Sequence, residues 1–347
     1  MANQTILIWL PSPMGDAVLC TPALRAIRKQ FPEAAIWLYG NSVVRSVLSP
    51  NHVSDNWIEQ RSSNPFAVAA EFKKYNFGMV ILFKNSFMSA LAVWLACIPV
   101  RIGYAREGRG FLLTKKLEPL RLPDGDYVPI SMLDYYLAMA ELLGAETADR
   151  LPEITVPPED MRALREKMPE IFFTDGPKAI LVVGGAFGAN KCWPAEYFGK
   201  LADWLVEKYK ATVILSVAPN SFEQHIAEDI CKSSKHRLIS LGETPLSLRE
   251  LKAMFSMADL VVANDTGPRH IAIALKRKVI TLFGPNDPAW TQTGYTDEIQ
   301  IVADVKCAPC QEPQCHMEEL ICMYSISVES VCEAAEKLLA KWQGTML

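Results

Sequence analysis

The sequence lacks what several large classes of protein require. No apolar run reaches the roughly 18 residues of a membrane-spanning helix. The longest, FMSALAVWLACIPV from Phe87 to Val100, is too short and ends in Pro-Val-Arg, which predicts a buried helix instead. Charge of one sign is not in excess: 35 Lys and Arg stand against 39 Asp and Glu, a net charge of -4. That balance argues against broad nucleic-acid binding, and no nucleic-acid partner is expected. The first residues, MANQTILIWLP, have neither a basic leader nor a small-residue cleavage site, so they predict a first strand rather than a signal peptide. The cysteines number nine, which is odd, and Cys20, Cys97 and Cys231 fall inside apolar segments. Reduced thiols and a cytoplasmic location are the expectation. Repeats and low-complexity tracts are missing, and so are the GxGxxG and Walker patterns.

What is present is alternation. A chain of 347 residues suggests two domains of about 150 residues each. Thr5–Leu10 (TILIWL), Ala35–Tyr39 and Met79–Phe83 are continuous apolar runs separated by helical patterns, as expected of parallel strands covered on both faces. Around Gly144–Lys178 the texture turns proline-rich and charged, and the alternation then restarts with Ala179–Val183, Thr212–Ser216, Leu260–Ala263 and Val279–Phe283. The predicted fold is α/β, with two Rossmann-like doubly wound domains facing across a cleft. Their expected limits are 1–165 and 166–327. An amphipathic helix beginning at Val328 is predicted to pack back on the first domain.

Four loops, each placed directly after a predicted strand, hold the candidate chemistry. The first is Pro11-Ser12-Pro13-Met14-Gly15-Asp16, where the carboxylate of Asp16 either takes a proton from an acceptor hydroxyl or caps the next helix. The second runs from Gly184 to Pro194 (GGAFGANKCWP); glycines that bare backbone N–H groups, with Lys191 beside them, suit a diphosphate. Its plainer reading is a glycine-rich turn with a solvated lysine. The third, Asn264-Asp265-Thr266-Gly267-Pro268-Arg269-His270, leads from a buried strand into a helix. Asp265 or Thr266 would cap that helix, its first turn would form an anion site, and His270 would lie one turn in, as a ligand or as a core histidine. The fourth, Gly284-Pro285-Asn286-Asp287-Pro288, is stiffened by two prolines and is expected to shape a wall. Late in the chain, Cys307, Cys310, Cys315 and Cys322, with His316 as a spare ligand, leave three readings open: structural zinc, a disulfide, or plain thiols.

Taken together, ILIWLPSPMGDAVLCTPALRAIRKQFP, RIGY, KCWP, LVVANDTGPRHIAIAL, LFGPNDP and CAPCQEPQCHMEELICM resemble glycosyltransferase family 9, the ADP-heptose:lipopolysaccharide heptosyltransferases, from Ile6 to about Leu339. The cysteine segment and the PSPMGD loop look closer to the heptosyltransferase II branch. The resemblance implies a GT-B fold and an inverting, metal-independent transfer from ADP-L-glycero-β-D-manno-heptose to the lipopolysaccharide inner core, without a cofactor. It implies Asp16 as general base, and Lys191, Asp265, Thr266, Gly267 and His270 around the diphosphate, with Gly185, Ala186 and Phe187 in the adjoining loop. The adenosine would lie near Asn220 and Leu246. Arg101, Arg106 and Arg109 would face the anionic acceptor, unless they form a solvated basic loop. A lipid acceptor implies transient contact with the inner membrane. Two departures are visible: Ala186 and Phe187 stand where relatives often have hydroxyl residues, and Asn220 where some have a carboxylate. The alternatives are another nucleotide-sugar donor, a nucleotide-sugar epimerase, and a non-catalytic nucleotide-binding protein.

Overall fold

The computed structural model describes residues 4–185, 188–317 and 319–340. The chain divides into two compact units: one runs to Thr155 and takes in Ala289–Thr293, and the other comprises Val156–Pro288 and the chain from Gly294 onward. The division falls ten residues before the expected 165, because the helix Pro158–Lys167 packs on Leu248–Ser256 of the second unit.

In the first unit, β1 (Thr5–Trp9) leads through α1 (Met14–Leu19) and α2 (Thr21–Gln30) to β2 (Ala35–Gly40). Then come α3 (Ser42–Leu48), β3 (Asn56–Glu59), α4 (Pro65–Phe72), β4 (Met79–Leu82) and α5 (Phe87–Leu95). β5 (Val100–Tyr104), β6 (Lys115–Leu117) and α6 (Met132–Leu142) complete it. Among the described residues the strands form one parallel sheet in the order β3-β2-β1-β4-β5-β6. β1 is central, and its residues Ile6, Leu7 and Ile8 are fully buried. The order reverses between β1 and β4, so the carboxyl end of β1 is a topological switch point, where such sheets bind ligands.

The second unit repeats the plan. It holds α7 (Pro158–Lys167), β7 (Lys178–Val182), α8 (Ala195–Tyr209), β8 (Thr212–Ser216), α9 (Ser221–Ser233) and β9 (Ile239–Ser240). α10 (Leu248–Ser256), β10 (Leu260–Asn264), α11 (Gly267–Ala274), β11 (Val279–Phe283) and β12 (Glu298–Val302) follow. The sheet order is β12-β11-β10-β7-β8-β9, again parallel, with its switch point between β7 and β10.

The chain ends in α12 (Ile321–Ser325) and α13 (Val328–Leu339). α13 belongs to the second unit. Its apolar stripe, Val331, Ala334, Ala335 and Leu339, is buried in that unit's core against α8 and β10–β12. The capping oxygen of Ser327 starts this helix by accepting from Ser330 N–H. The apolar run beginning at Phe87 also differs from expectation. Its helix stops at Leu95, Val100 opens β5, and one side of the helix is exposed.

Candidate active site

In the first unit the chain leaves β1 at Leu10, turns through Pro11-Ser12-Pro13 and enters α1. Asp16 is the third residue of that helix and half-buried. Pro13 holds the N-cap position, so Asp16 does not cap α1 from there. The carboxylate lies close to Cys20 and Tyr136: burial first, and then the charge of Asp16, push both of their pKa values well up. Both groups therefore stay neutral beside it. The turn is pinned by two residues that sequence reasoning missed. Asn41 donates from Nδ2 to the Ser12 carbonyl at 3.2 Å, and Lys84 donates from Nζ to Ser12 Oγ at 2.6 Å. Asn41 follows β2 and Lys84 follows β4, the two strands flanking β1, so position after a neighbouring strand was the signal available.

The three arginines expected to face an acceptor have other partners. Arg109 is fully buried. Its guanidinium donates to the carbonyls of Tyr104 (2.9 Å), Lys84 (2.7 Å) and Ser86 (3.2 Å) and to Asn85 Oδ1 (2.7 Å). It ties the loops after β4 and β5 together and is not available to a ligand. Arg101 donates to the Leu112 and Ile98 carbonyls at 2.7 and 2.6 Å. It too braces a loop; for the fully buried Arg109 the expected acceptor role is corrected to a structural one. Arg106 is half-buried, with its guanidinium 3.9 Å from the centre of the Tyr127 ring.

In the second unit the structure gathers most of the expected donor residues at the carboxyl ends of β7, β8 and β10, which are neighbours in the sheet. Gly184 and Gly185 follow β7. A Cβ on Gly184 would stand 2.0 Å from Glu223 Cδ, so a side chain here would displace the Glu223 carboxylate. Glu223 accepts from Ala218 N–H at 2.8 Å, while the side-chain oxygen of Asn220 caps α9 by accepting from Glu223 N–H at 2.9 Å. A Cβ on Gly185 would meet Thr266 Cγ2 at 3.2 Å and Lys191 Cβ at 3.7 Å, which places this loop against the start of α11. Lys191 is buried and reaches the Asp265 carbonyl from Nζ at 3.4 Å. Leu246 lies half-buried in the segment entering α10. Ala186 and Phe187 lie outside the described residues.

Asp265 differs from expectation in an informative way. Its carboxylate does not stand free: Oδ1 accepts from Arg269 NH1 at 2.9 Å and Oδ2 from Asn286 Nδ2 at 2.7 Å. Arg269, fully buried, also pairs with Glu298 through Nε at 2.7 Å, and Thr281 Oγ1 donates to the same Glu298 oxygen at 2.5 Å. Burial pushes the carboxyls of Asp265 and Glu298 up, but Arg269 together with the other partners, His270, Asn286 and Lys191 at Asp265 and Thr281 and Gln300 at Glu298, holds both below the usual carboxylate range. Thr266 holds the N-cap position of α11 without a side-chain cap bond; its hydroxyl donates to the Asn264 carbonyl at 3.3 Å. The first turn of α11 thus keeps its anion-binding character. One turn in, His270 is buried, and desolvation first, then Arg269, push its pKa down to about 4. It is neutral at pH 7, and its Nδ1 has no hydrogen-bond partner among the described residues. Lys191 also titrates below its usual value through burial, with Asp265 opposing the shift. A buried cation, a helix start whose N-cap side chain makes no cap bond, and an imidazole nitrogen without a partner among the described residues lie at this end of the sheet.

The model of glycosyltransferase family 9 (heptosyltransferase) matches residues 66–321. The chain belongs to glycosyltransferase family 9. It is therefore a glycosyltransferase enzyme of the heptosyltransferase family. The lipooligosaccharide heptosyltransferase 2 of Campylobacter jejuni subsp. jejuni serotype O:6 is 26% identical over 96% of this chain and 98% of its own. The lipopolysaccharide heptosyltransferase 2 of Escherichia coli K12 is 26% identical over 82% of this chain and 84% of its own. Among solved structures, the family 9 glycosyltransferase of Veillonella parvula superposes with a TM-score of 0.82 at 21% identity, covering 98% of each chain. The E. coli ADP-heptose lps heptosyltransferase II superposes with a TM-score of 0.78 at 22% identity, covering 97% of this chain and 99% of that one. These likenesses establish the GT-B fold.

The cysteines of the late segment are thiols in this structure: Cys307, Cys310 and Cys315 are exposed and Cys322 is buried. Among the described residues no group of three or more His, Cys, Asp or Glu side chains is placed to hold a metal ion. The segment does structural work nearby. Asn190 donates to the Glu312 carbonyl, Gln311 N–H donates to the Pro285 carbonyl at 2.9 Å, and Pro313 crowds Gly188. It thereby buttresses the loop that carries Lys191.

Proposed function

We propose that this enzyme transfers a heptosyl group from ADP-L-glycero-β-D-manno-heptose to a hydroxyl of the lipopolysaccharide inner core, with inversion at the anomeric carbon. The observation that carries the reading is the convergence of Lys191, the start of α11 and His270 beside the Gly184-Gly185 turn. That group suits a nucleoside diphosphate, and the similar lipopolysaccharide and lipooligosaccharide heptosyltransferases suggest the sugar and the acceptor.

In this reading the second unit holds the donor, and Asp16 in the first unit accepts the proton of the acceptor hydroxyl. As that oxygen bonds to the anomeric carbon from the face opposite the diphosphate, the bond from carbon to the diphosphate oxygen breaks. Negative charge grows on the departing ADP. Lys191 and the N-terminus of α11 meet that charge in the role a divalent cation plays in other transferases. Asp265 acts indirectly: held by Arg269 and Asn286, it fixes the loop whose carbonyl Lys191 touches. The proton transfer is late, when the attacking hydroxyl has become acidic.

The test is a donor screen. Purified protein is incubated with truncated lipopolysaccharide and a panel of nucleotide sugars, and products are read by mass spectrometry. Addition of one heptosyl group from the ADP-heptose alone is the expected result; transfer from a different nucleotide sugar, or none, overturns the donor assignment. In the same assay EDTA should leave the initial rate within about twofold, because Lys191 and the helix start already balance the leaving group. Loss of turnover on chelation, restored by magnesium with the fold intact, would contradict the metal-independent step.

A further inference from the structure

Ser12 stands between two prolines, which makes it a handle on the start of α1. Pro11 and Pro13 each fix their own φ, and Pro13 also confines Ser12 to extended backbone. Pro13 is in turn the N-cap of α1, and its carbonyl accepts from Ala17 N–H at 3.1 Å. Little freedom is left between Ser12 and Asp16. A contact that holds Ser12 therefore holds the carboxylate in the first turn of the helix.

Lys84 makes such a contact from a fixed footing. Its N–H donates to the Trp9 carbonyl of β1 at 3.1 Å, and its carbonyl accepts from Arg109 NH1 at 2.7 Å and from Ser89 Oγ at 3.3 Å. The next residue is held as well. Asn85 Oδ1 accepts from Arg109 NH2 at 2.7 Å and from the Tyr135 hydroxyl at 3.0 Å, and Tyr135 stacks on Tyr104 with ring centres 3.7 Å apart. Arg109, at the centre of this frame, is fully buried. From the frame the half-buried side chain of Lys84 reaches Ser12 Oγ at 2.6 Å. The bond joins the loops after β1 and β4, the two strands between which the sheet order reverses. That is the ligand-binding end of such a sheet, and the turn that is held bears Asp16.

We propose that Lys84 is a positioning residue for Asp16: through Ser12 Oγ it keeps the carboxylate where the acceptor hydroxyl gives up its proton. Asn41, the other contact of this turn, fixes the Ser12 carbonyl and leaves the hydroxyl to Lys84. The inference rests on the reading of Asp16 as the base.

The experiment measures kcat and acceptor KM for the wild type, Lys84→Met, Lys84→Arg, Ser12→Ala and the double variant Lys84→Met with Ser12→Ala, with Asp16→Ala beside them. ADP affinity and the melting temperature are measured on the same samples. Methionine keeps the length of the stem and removes the donor. Misplacing a reacting group by about 1 Å can cost on the order of 10²-fold, so Lys84→Met should lower kcat about 10- to 100-fold. Acceptor KM, ADP affinity and melting temperature should stay at their wild-type values. Ser12→Ala should lose a similar factor, and the double variant no more than either, because both substitutions remove the same bond. Lys84→Arg, which keeps a donor for Ser12, should recover most of the loss.

Three results would overturn the proposal. One is an unchanged kcat in Lys84→Met. Another is a raised acceptor KM with kcat kept, which would make Lys84 a contact of the acceptor. The third is losses that multiply in the double variant, which would show that Lys84 and Ser12 act apart. Should Lys84→Met fail to fold, Ser12→Ala decides: a lowered kcat supports the proposal and a normal one overturns it. Full turnover by Asp16→Ala would sink the reading of the base itself, whereas an inactive Asp16→Ala beside a fully active Lys84→Met sinks this inference alone.

Discussion

Asp265 and Arg269 face one another across the first turn of α11, Oδ1 to NH1 at 2.9 Å, and both are buried. The pair is one edge of a network that reaches Glu298 on β12, Thr281 on β11 and Asn286 in the Gly-Pro loop. It holds the loop between β10 and α11 at the place where Lys191 arrives from β7.

Arg269→Met tests that network. The substitution keeps the side chain's bulk but leaves the carboxylates of Asp265 and Glu298 buried without their cation. Removing one member of a buried ion pair typically costs about 3–5 kcal/mol. Urea denaturation should show a loss of this size, or the protein should fail to accumulate folded. A loss within about 0.5 kcal/mol, the range of ordinary surface substitutions, would mean the network is not structural.

Lys191 should govern donor affinity and its pH dependence. Lys191→Ala removes a charge-assisted contact of about 1.5–3 kcal/mol, or one to two decades in ADP affinity by calorimetry. Burial already lowers the pKa of this lysine, and a bound diphosphate would raise it. ADP affinity should therefore fall as pH rises through the depressed value. Lys191→Arg, which does not deprotonate in this range, should flatten that part of the profile. Unchanged ADP binding by the alanine variant would place the donor elsewhere.

Much of this was legible in the sequence, for identifiable reasons. The inner strands β1, β2, β4, β7, β8, β10 and β11 read as unbroken apolar runs because both of their faces are covered. The four sheet edges β3 (NWIE), β6 (KKL), β9 (IS) and β12 (EIQIV) did not, since edge strands are short and polar. β5 (VRIGY) was read for its arginine instead. The glycines and Lys191 left two readings open, a diphosphate loop or a turn with a solvated lysine, and the structure shows that the lysine is buried. The spacing of Asp265 and Arg269, four residues apart where the chain enters a helix, was a readable pairing signal. Glu298, a further 29 residues along and on an edge strand, offered no local signal at all. The arginines of the RIGYAREGRG segment show the opposite failure. Composition cannot tell a basic surface from Arg109 buried among carbonyls.

His270 predicts a pH dependence of stability. Its folded pKa, about 4, lies below the ordinary histidine value of 6.5, so the unfolded chain binds the additional proton between the two. This contribution is fully present above about pH 6.5 and is lost as pH falls through the folded value. Denaturation midpoints should be level above neutrality and decline from pH 6.5 toward 4. His270→Gln, of similar size and without a titrating proton, should remove that part of the decline. A decline unchanged in the variant would mean that His270 is not held neutral in the fold.

The central claim is a division of labour, with the base in the first unit and the donor site in the second. Parallel measurements on Asp16→Ala, transfer to the lipopolysaccharide acceptor and ADP binding by calorimetry, test it most directly. Loss of a general base typically lowers turnover about 10²–10⁴-fold, while the ADP dissociation constant should stay within about twofold of wild type, because Asp16 follows β1 and Lys191 follows β7. Wild-type turnover by Asp16→Ala, or a loss of ADP affinity as large as the loss of rate, would contradict the account.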